Sequence, residues 1–266
     1  MQAFSTYNER VMAKSITLSI TASSRVGCVR VNNEDMLLLG EQMVRSGKTS
    51  QTVELAPGGR FLMALADGMG GHNCGEVASA DTLNSLKFYY NDIPSGMDAN
   101  AFNEAMCEWL KSINYTIDAK GRTKSECRGM GTTLVALACY EGAFYSLNCG
   151  DSRLYYMADG ELRQLTIDHS LNNLLGQQKH SNIITNCIGG GCSRSYIDVD
   201  EHSALVKPGA TFMLCSDGLS DMVSDQEIAR LLGNGFGADA LCQAAEDEGG
   251  RDNVSVIVAR VLEIDN

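Results

Sequence analysis

The order of predicted strands and helices constrains the fold of this chain most. β-rich runs come first, followed by two segments with helical spacing of apolar residues, 75–90 and 98–119. Four short strand-like runs, two more helices (224–232 and 237–246) and a closing strand complete the chain. A parallel sheet would need strands that alternate with helices, which this order does not provide. The pattern therefore predicts antiparallel sheets covered by helix pairs.

The shorter elements are read from turn residues and alternation. The four strand-like runs between residues 131 and 166 are separated by Glu-Gly, Gly-Asp and Asp-Gly, a pattern typical of a β-meander. Further strands are expected at 52–55 and 202–206. Residues 168–200 are irregular and rich in glycine, so we expect a surface loop there.

Composition and charge limit the class of protein. Residues 1–14 are expected to form an N-terminal leader. The rest of the 266 residues contains no linker or repeat, so we expect one domain over 15–266. A net charge of −12 argues against nucleic acid or an anionic membrane as partner. No apolar stretch approaches the ~20 residues that cross a bilayer, and the N-terminus lacks the apolar core of a signal peptide. We expect a cytoplasmic protein without membrane insertion.

The ten cysteines are scattered singly, without a C-x-x-C motif. Cys139, Cys149 and Cys215 lie in apolar strand-like runs, where free cysteine behaves as a small hydrophobe. The closest pair, Cys187 and Cys192, could hold a metal or form a disulfide, but it lacks zinc-type spacing. Reduced thiols, as in a cytosol, are the simpler expectation.

Three aspartates stand where an apolar run meets a turn. Asp67 follows FLMALA, Asp217 follows TFMLCS, and Asp252 precedes NVSVIVARV. Carboxylates at sheet edges, if they converge, form an oxygen-rich pocket for hard divalent cations. Each alone is more often a turn residue. The glycines after Asp67 favour a metal-binding role for this aspartate. They let the chain pass close to an ion and offer the Gly68 carbonyl as a ligand.

Two further stretches carry candidate residues. In GCVRVNNEDM, Arg30 stands four residues before Glu34, so the two would share one face of a strand. Such an arginine can grip two phosphate oxygens beside a metal site, with a surface salt bridge as the alternative. Asp151 in NCGDSR lies at a strand-to-strand turn, and spacing alone favours a turn role. The sequence matches no P-loop, EF-hand, paired-histidine zinc motif or G-x-S-x-G elbow.

Seven short motifs resemble, in order, those of metal-dependent serine/threonine protein phosphatases of type 2C, bacterial branch. The resemblance runs from about Gly27 to Val261, and the motifs are RVNNED, ADGMGG, GMGTTL, NCGDSR, LTIDHS, CSDGLSD and GGRDNVSV. The resemblance implies an α+β fold, a four-layer α/β/β/α sandwich of two antiparallel sheets flanked by paired helices.

The resemblance also implies a metal centre of two Mn²⁺ or Mg²⁺ ions, with a third in bacterial relatives. Asp67 would bridge two ions, one of which also takes the Gly68 carbonyl, and Asp217 and Asp252 would hold the other. Asp151 would share the third ion with Asp217. The metal ligands so implied are Glu34, Asp67, Gly68, Asp151, Asp217 and Asp252.

The remaining implied roles concern water, phosphate and support. Glu34 would hold a metal-bound water, and Arg30 would grip the substrate phosphate. Asp35 and Asn253 fall at positions that support the ligands. Arg30, Asp35 and Asp67 are thus the implied catalytic residues.

The implied reaction is hydrolysis of phosphoserine or phosphothreonine by direct attack of a metal-bridging water, without a phosphoenzyme. The expected partners are phosphorylated proteins, opposite a Ser/Thr kinase, and a monomer is expected. Two departures bear on this: Met69 replaces the histidine of eukaryotic relatives, and the segment 168–188 is shorter than the bacterial flap. A pseudophosphatase-like phosphoprotein-binding module and a phosphatase of a small metabolite are the alternatives.

Overall fold

The computed structural model describes residues 14–69, 74–176 and 183–265. The predicted leader lies outside the described residues, except for Lys14. The strands within these ranges are β1 (Ser15–Arg25), β2 (Met36–Leu39), β3 (Gln42–Val44), β4 (Gly47–Leu55), β5 (Phe61–Ala66), β6 (Gly68–Met69), β7 (Gly131–Thr132), β8 (Leu134–Tyr140), β9 (Ala143–Cys149), β10 (Arg153–Ala158), β11 (Glu161–Gln164), β12 (Ile188–Gly189), β13 (Asp198–Glu201), β14 (Thr211–Cys215) and β15 (Val254–Asp265).

The helices begin and end close to where helical spacing and capping residues predict. Asp98 and Ser224 cap two of them, each accepting a backbone N–H with its side chain. The helices of the described ranges are α1 (Gly75–Asp92), α2 (Ala99–Thr123), α3 (Leu171–Leu175), α4 (Asp217–Ser220), α5 (Asp225–Gly233) and α6 (Ala238–Asp247). None of them is long and apolar enough to cross a membrane.

Two six-stranded antiparallel sheets form the centre of the fold. The first sheet has the order β11-β10-β14-β15-β1-β4, and the second has the order β13-β9-β8-β5-β2-β3. A small three-stranded ribbon, β12-β7-β6, lies beside them. The predicted sandwich of antiparallel sheets is therefore confirmed.

The burial pattern of β15 shows how the layers are built. Ile257, Ala259 and Val261 pack into the core between the sheets. The alternate residues Val254, Val256 and Val258 pack into a second core with α5 and α6. Since both faces of the strand are covered, its sequence is almost continuously apolar. A third core joins α1 and α2 to the outer face of the second sheet, as predicted for this helix pair.

The predicted meander of four strands is wrong, because the chain changes sheet halfway along it. β8 and β9 belong to the second sheet, whereas β10 and β11 belong to the first. The hairpin turns at Glu141-Gly142 and Asp159-Gly160 have positive φ at both residues, as tight hairpins require. Gly150 instead adopts φ +129 and carries the chain across to the other sheet.

Two further predictions of local structure need correction. Residues 202–206 were expected to form a strand, but Ser203–Leu205 is a 3-10 helix and the neighbouring strand is β13. The expected loop over 168–200 contains α3 and β12. These elements are too short to show a period in the sequence.

The expectation of reduced thiols is wrong for one pair. Cys74, directly before α1, forms a disulfide with Cys127, 53 residues further along the chain. Cys187 and Cys192 are free thiols. Spacing could not reveal the Cys74–Cys127 pair, because only the packing of α1 and α2 on the second sheet brings the two residues together.

Candidate metal centre

Five aspartates from both sheets lie at one end of the sandwich, at the ends of the strands that carry them. They are Asp35 before β2, Asp67 after β5, Asp151 between β9 and β10, Asp217 after β14 and Asp252 before β15. The other four all act electrostatically on Asp67. Residues far apart in sequence thus form one group, which we call the acidic cluster.

The backbone around Asp67 is fixed by two threonines. The Asp67 N–H donates to Thr133 Oγ1 at 3.1 Å, and its carbonyl accepts from Thr132 Oγ1 at 2.8 Å. Thr133 Oγ1 also lies 2.7 Å from Ser152 Oγ, in the turn that carries Asp151. These contacts link the ends of the two sheets directly below the cluster.

Gly68 lies where the chain leaves no room for a side chain. A Cβ atom on Gly68 would lie 2.3 Å from the Gly75 carbonyl and 2.5 Å from the Glu34 carbonyl. A Cβ on Gly75 would lie 2.7 Å from a carboxylate oxygen of Glu34. The two glycines therefore allow the Asp67 strand end, the start of α1 and Glu34 to meet.

The pKa values of the cluster are raised by burial and by the neighbouring charges. Burial, then the charge of Asp217, raises the pKa of Asp35 to about 7. Burial and Asp217 raise the pKa of Asp151 to about 7 as well. Burial and Asp252 raise that of Asp217 to about 6, and burial and Asp35 raise that of Asp67 well above its usual value. A positive charge placed among these carboxylates would stabilise their ionised forms.

The donor set fits a hard divalent cation. One oxygen of Asp35 and one of Asp151 are buried without a hydrogen-bond partner, an arrangement that costs free energy unless an ion occupies it. Among the described residues, no three His, Cys, Asp or Glu side chains already stand at metal-coordinating positions. Burial and the charges of Asp35 and Asp217 instead raise the pKa of Asp67. A bound cation would offset this repulsion.

Arg30 and Glu34 do not share a strand face, and that prediction is wrong. β1 ends at Arg25, so the segment that follows is a loop. Arg30 is about half exposed, and its Nη2 lies 2.7 Å from Asp252 Oδ2. The charges of Glu34 and Asp67 also act on it. Arg30 therefore lies at the rim of the cluster, paired with Asp252 and not with Glu34.

Asn253 and Asp35 support the loop between β1 and β2, which carries Arg30 and Glu34. Asn253 Oδ1 accepts the Glu34 N–H at 2.9 Å, and its Nδ2 donates to the carbonyls of Val26 and Asn32. Asp35 is fully buried, and Ser216 Oγ donates to its Oδ2 at 3.0 Å. Both contacts are consistent with the predicted supporting roles.

Sequence reasoning missed Arg45 and the threonine and serine contacts. Arg45 donates to the carbonyls of Asn33, Asp35 and Glu76 and so clamps the loop beneath Glu34. It lies in a polar segment without periodicity, so no local signal marked it. The threonines are part of the GMGTTL motif and could have been found there.

A helix-covered double β-sheet with carboxylates converging at one end is the arrangement expected of a metal-dependent phosphatase. The sequence profile described as protein phosphatase 2C matches residues 48–253. The chain therefore belongs to the protein phosphatase 2C family.

Relatives in this family agree over nearly the whole chain. The serine/threonine protein phosphatase PstP of Mycobacterium tuberculosis is 33% identical over 261 residues, 94% of this chain and 46% of that protein. The protein phosphatase PhpP of Streptococcus pneumoniae is 31% identical over 263 residues, 93% of this chain and 99% of that protein. The chain thus spans about half the length of the mycobacterial relative.

A solved structure supports the same relationship. The catalytic domain of PstP, in complex with two manganese ions, superposes with a TM-score of 0.72 at 31% identity. The match covers 93% of this chain and 100% of that chain. The family predicted from the seven motifs is therefore confirmed.

Proposed function

We propose that this chain is a serine/threonine protein phosphatase that depends on divalent cations held by the acidic cluster. The observation that carries the proposal is the convergence of aspartates from both sheets, four of which have pKa values raised by desolvation and by each other's charges. The relatives named as serine/threonine protein phosphatases support the reaction class.

The proposed ligand roles are those that the family's motifs imply, and the positions of the residues support them. Asp67, at the centre of the electrostatic contacts, is proposed to bridge two ions, with the Gly68 carbonyl on one of them. Asp217 and Asp252, both in contact with the first sheet, would hold the second ion. The unpartnered oxygen of Asp151 suits a third ion shared with Asp217. Mn²⁺ is the metal to test first, because PstP was crystallised with it.

Divalent cations, when bound, would supply a water that is nucleophilic at neutral pH and would offset the charge of the phosphate. The protein's own residues orient the reactants. Glu34 would accept hydrogen bonds from the attacking water, and Arg30, at the rim, would donate to the phosphate oxygens. Asp35 and Asn253 would keep the Glu34 loop in register. The hydrolysis is proposed to proceed by direct attack of this water, without a phosphoenzyme.

The cellular context belongs to the proposal as well. We expect one domain over residues 15–266, acting as a monomer on phosphorylated proteins and opposing a Ser/Thr kinase in the cytoplasm. Disulfides are rare in a reducing cytosol, and the chain has one between Cys74 and Cys127. The redox state of these cysteines in the cell therefore tests the location.

The direct test compares turnover with and without metal. The purified chain should hydrolyse p-nitrophenyl phosphate and a phosphothreonine peptide with Mn²⁺ and lose activity with a chelator. Asp67→Asn should lower kcat roughly 100-fold or more, because several kcal/mol of transition-state stabilisation depend on the ions. Turnover that persists in the chelator would contradict the proposal.

Substrate controls separate the alternatives. Metal binding and phosphopeptide binding without turnover would favour a pseudophosphatase-like module. Turnover of small phosphate esters but not of phosphopeptides would favour a metabolite phosphatase.

A further inference from the structure

We propose that His169 is a positioning residue that sets the direction of the Asp151 carboxylate. The inference rests on the proposed function, in which Asp151 holds a divalent cation. It concerns a residue that none of the proposed ligand, water or phosphate roles includes.

His169 holds the backbone on both sides of Gly150, the residue before Asp151. The Gly150 N–H donates to His169 Nδ1 at 3.1 Å. The His169 N–H donates to the Gly150 carbonyl at 2.9 Å. These two peptide groups flank the Cα atom at which the chain changes sheet. Both peptide planes that lead into Asp151 are therefore fixed by one residue.

The turn itself has little freedom to adjust. Gly150 adopts φ +129, a conformation that favours glycine. A Cβ atom at this position would lie 2.6 Å from Thr133 Cβ. Because Thr133 is itself held by the Asp67 N–H, Gly150 has little room to move in this direction.

The hydrogen bonds around His169 define the protonation of its ring. Asn186 Oδ1 accepts from the Tyr196 N–H, and its Nδ2 donates to the Tyr196 carbonyl, which orients the amide. The same Nδ2 donates to His169 Nδ1 at 2.8 Å. Two donors thus meet Nδ1, so this nitrogen is the acceptor and the ring proton lies on Nε2. Nε2 donates to Asp198 Oδ2 at 2.8 Å.

His169 is placed to orient Asp151, a proposed metal ligand, through the backbone that precedes it. His169 is 5% exposed, so its ring cannot reorient without breaking these contacts. Asp151 Oδ1 has no partner in the protein, and so its direction depends on the backbone that carries it. Groups that orient a ligand in this way typically change metal affinity by about 10–100-fold when they are replaced.

Two matched substitutions of His169 distinguish the acceptor role of Nδ1 from the donor role of Nε2. His169→Asn places a carbonyl oxygen near the position of Nδ1 and keeps the acceptor for the Gly150 N–H. His169→Gln places its amide near Nε2, keeps a donor for Asp198 and loses that acceptor. Asp151→Asn is the reference for loss of the ion at Asp151.

The measurement is isothermal titration calorimetry of Mn²⁺ into the metal-stripped 266-residue chain, with thermal unfolding as the check on folding. His169→Gln should weaken the ion affected by Asp151→Asn about 10–100-fold and leave the other ions unchanged. His169→Asn should bind Mn²⁺ within about threefold of wild type, an estimate that follows from the retained acceptor.

Equal Mn²⁺ affinities for the Asn and Gln variants would overturn the inference. An Asp151→Asn variant that binds Mn²⁺ like wild type would overturn it too, because no ion would then depend on Asp151. Calorimetry does not require turnover. A wild-type chain that binds metal with the predicted His169 dependence but hydrolyses no phosphoester would therefore refute the proposed function alone.

Discussion

The charge of Asp217 acts on Asp67 across the junction of the two sheets. Burial, Asp35 and this charge raise the pKa of Asp67 well above its usual value. Asp67 ends a strand of the second sheet and Asp217 follows a strand of the first. Both groups would be ionised in water at neutral pH. The fold thus places two acidic groups where only a proton or a cation makes them compatible.

Replacing Arg30 tests its role at the rim of the cluster. Arg30→Ala should raise KM for p-nitrophenyl phosphate about tenfold, because one charge-assisted hydrogen-bonding group is lost, and should change kcat less. Steady-state kinetics at saturating Mn²⁺ measure both constants. Arg30→Lys is the matched control, since it keeps the charge but not the planar fork. An unchanged KM in Arg30→Ala would leave Arg30 as only the salt-bridge partner of Asp252.

The acidic cluster should make the metal-free protein less stable as the pH rises. Asp35 and Asp151 have folded pKa values of about 7, whereas free aspartates titrate near 3.9. Between these pH values the folded state binds more protons than the unfolded state. The free energy of unfolding therefore falls as pH rises from about 4 to 7.

Urea unfolding of chelated protein at pH 5 and pH 8 measures this effect. Asp35→Asn should show a smaller fall in the free energy of unfolding than wild type, because one of the titrating groups is absent. Added Mn²⁺ should stabilise wild type more at pH 8 than at pH 5, since protons compete with the ion. The same pH dependence in wild type and Asp35→Asn would contradict the assignment.

Much of the element order could be predicted from the sequence because the longer strands and helices show their period. The change of sheet at Gly150 could not, because a Gly-Asp pair signals a turn without saying which strand pairs next. The loop position of Arg30 was missed for a similar reason. VGCVRV has strand-like composition, but the chain leaves the sheet at Arg25 to meet Asp252. Long-range packing decides both points.

Reduction of the disulfide should destabilise the folded chain. Loss of a cross-link that closes a loop of 53 residues costs about 4 kcal/mol in the chain-entropy estimate. Denaturant unfolding of Cys74→Ser/Cys127→Ser should show this loss, and wild type in dithiothreitol should match it. Cys107→Ser, at a partly exposed free thiol, is the control. Equal stability of wild type with and without dithiothreitol would mean that the bond does not stabilise the fold.

Anomalous diffraction from crystals grown with Mn²⁺ tests most directly whether the acidic cluster is a metal centre. The prediction is two manganese peaks that share the Asp67 carboxylate at about 2.0–2.6 Å, one also contacting the Gly68 carbonyl and the other contacting Asp217 and Asp252. Manganese bound elsewhere, with no peak in contact with Asp67, would contradict the account.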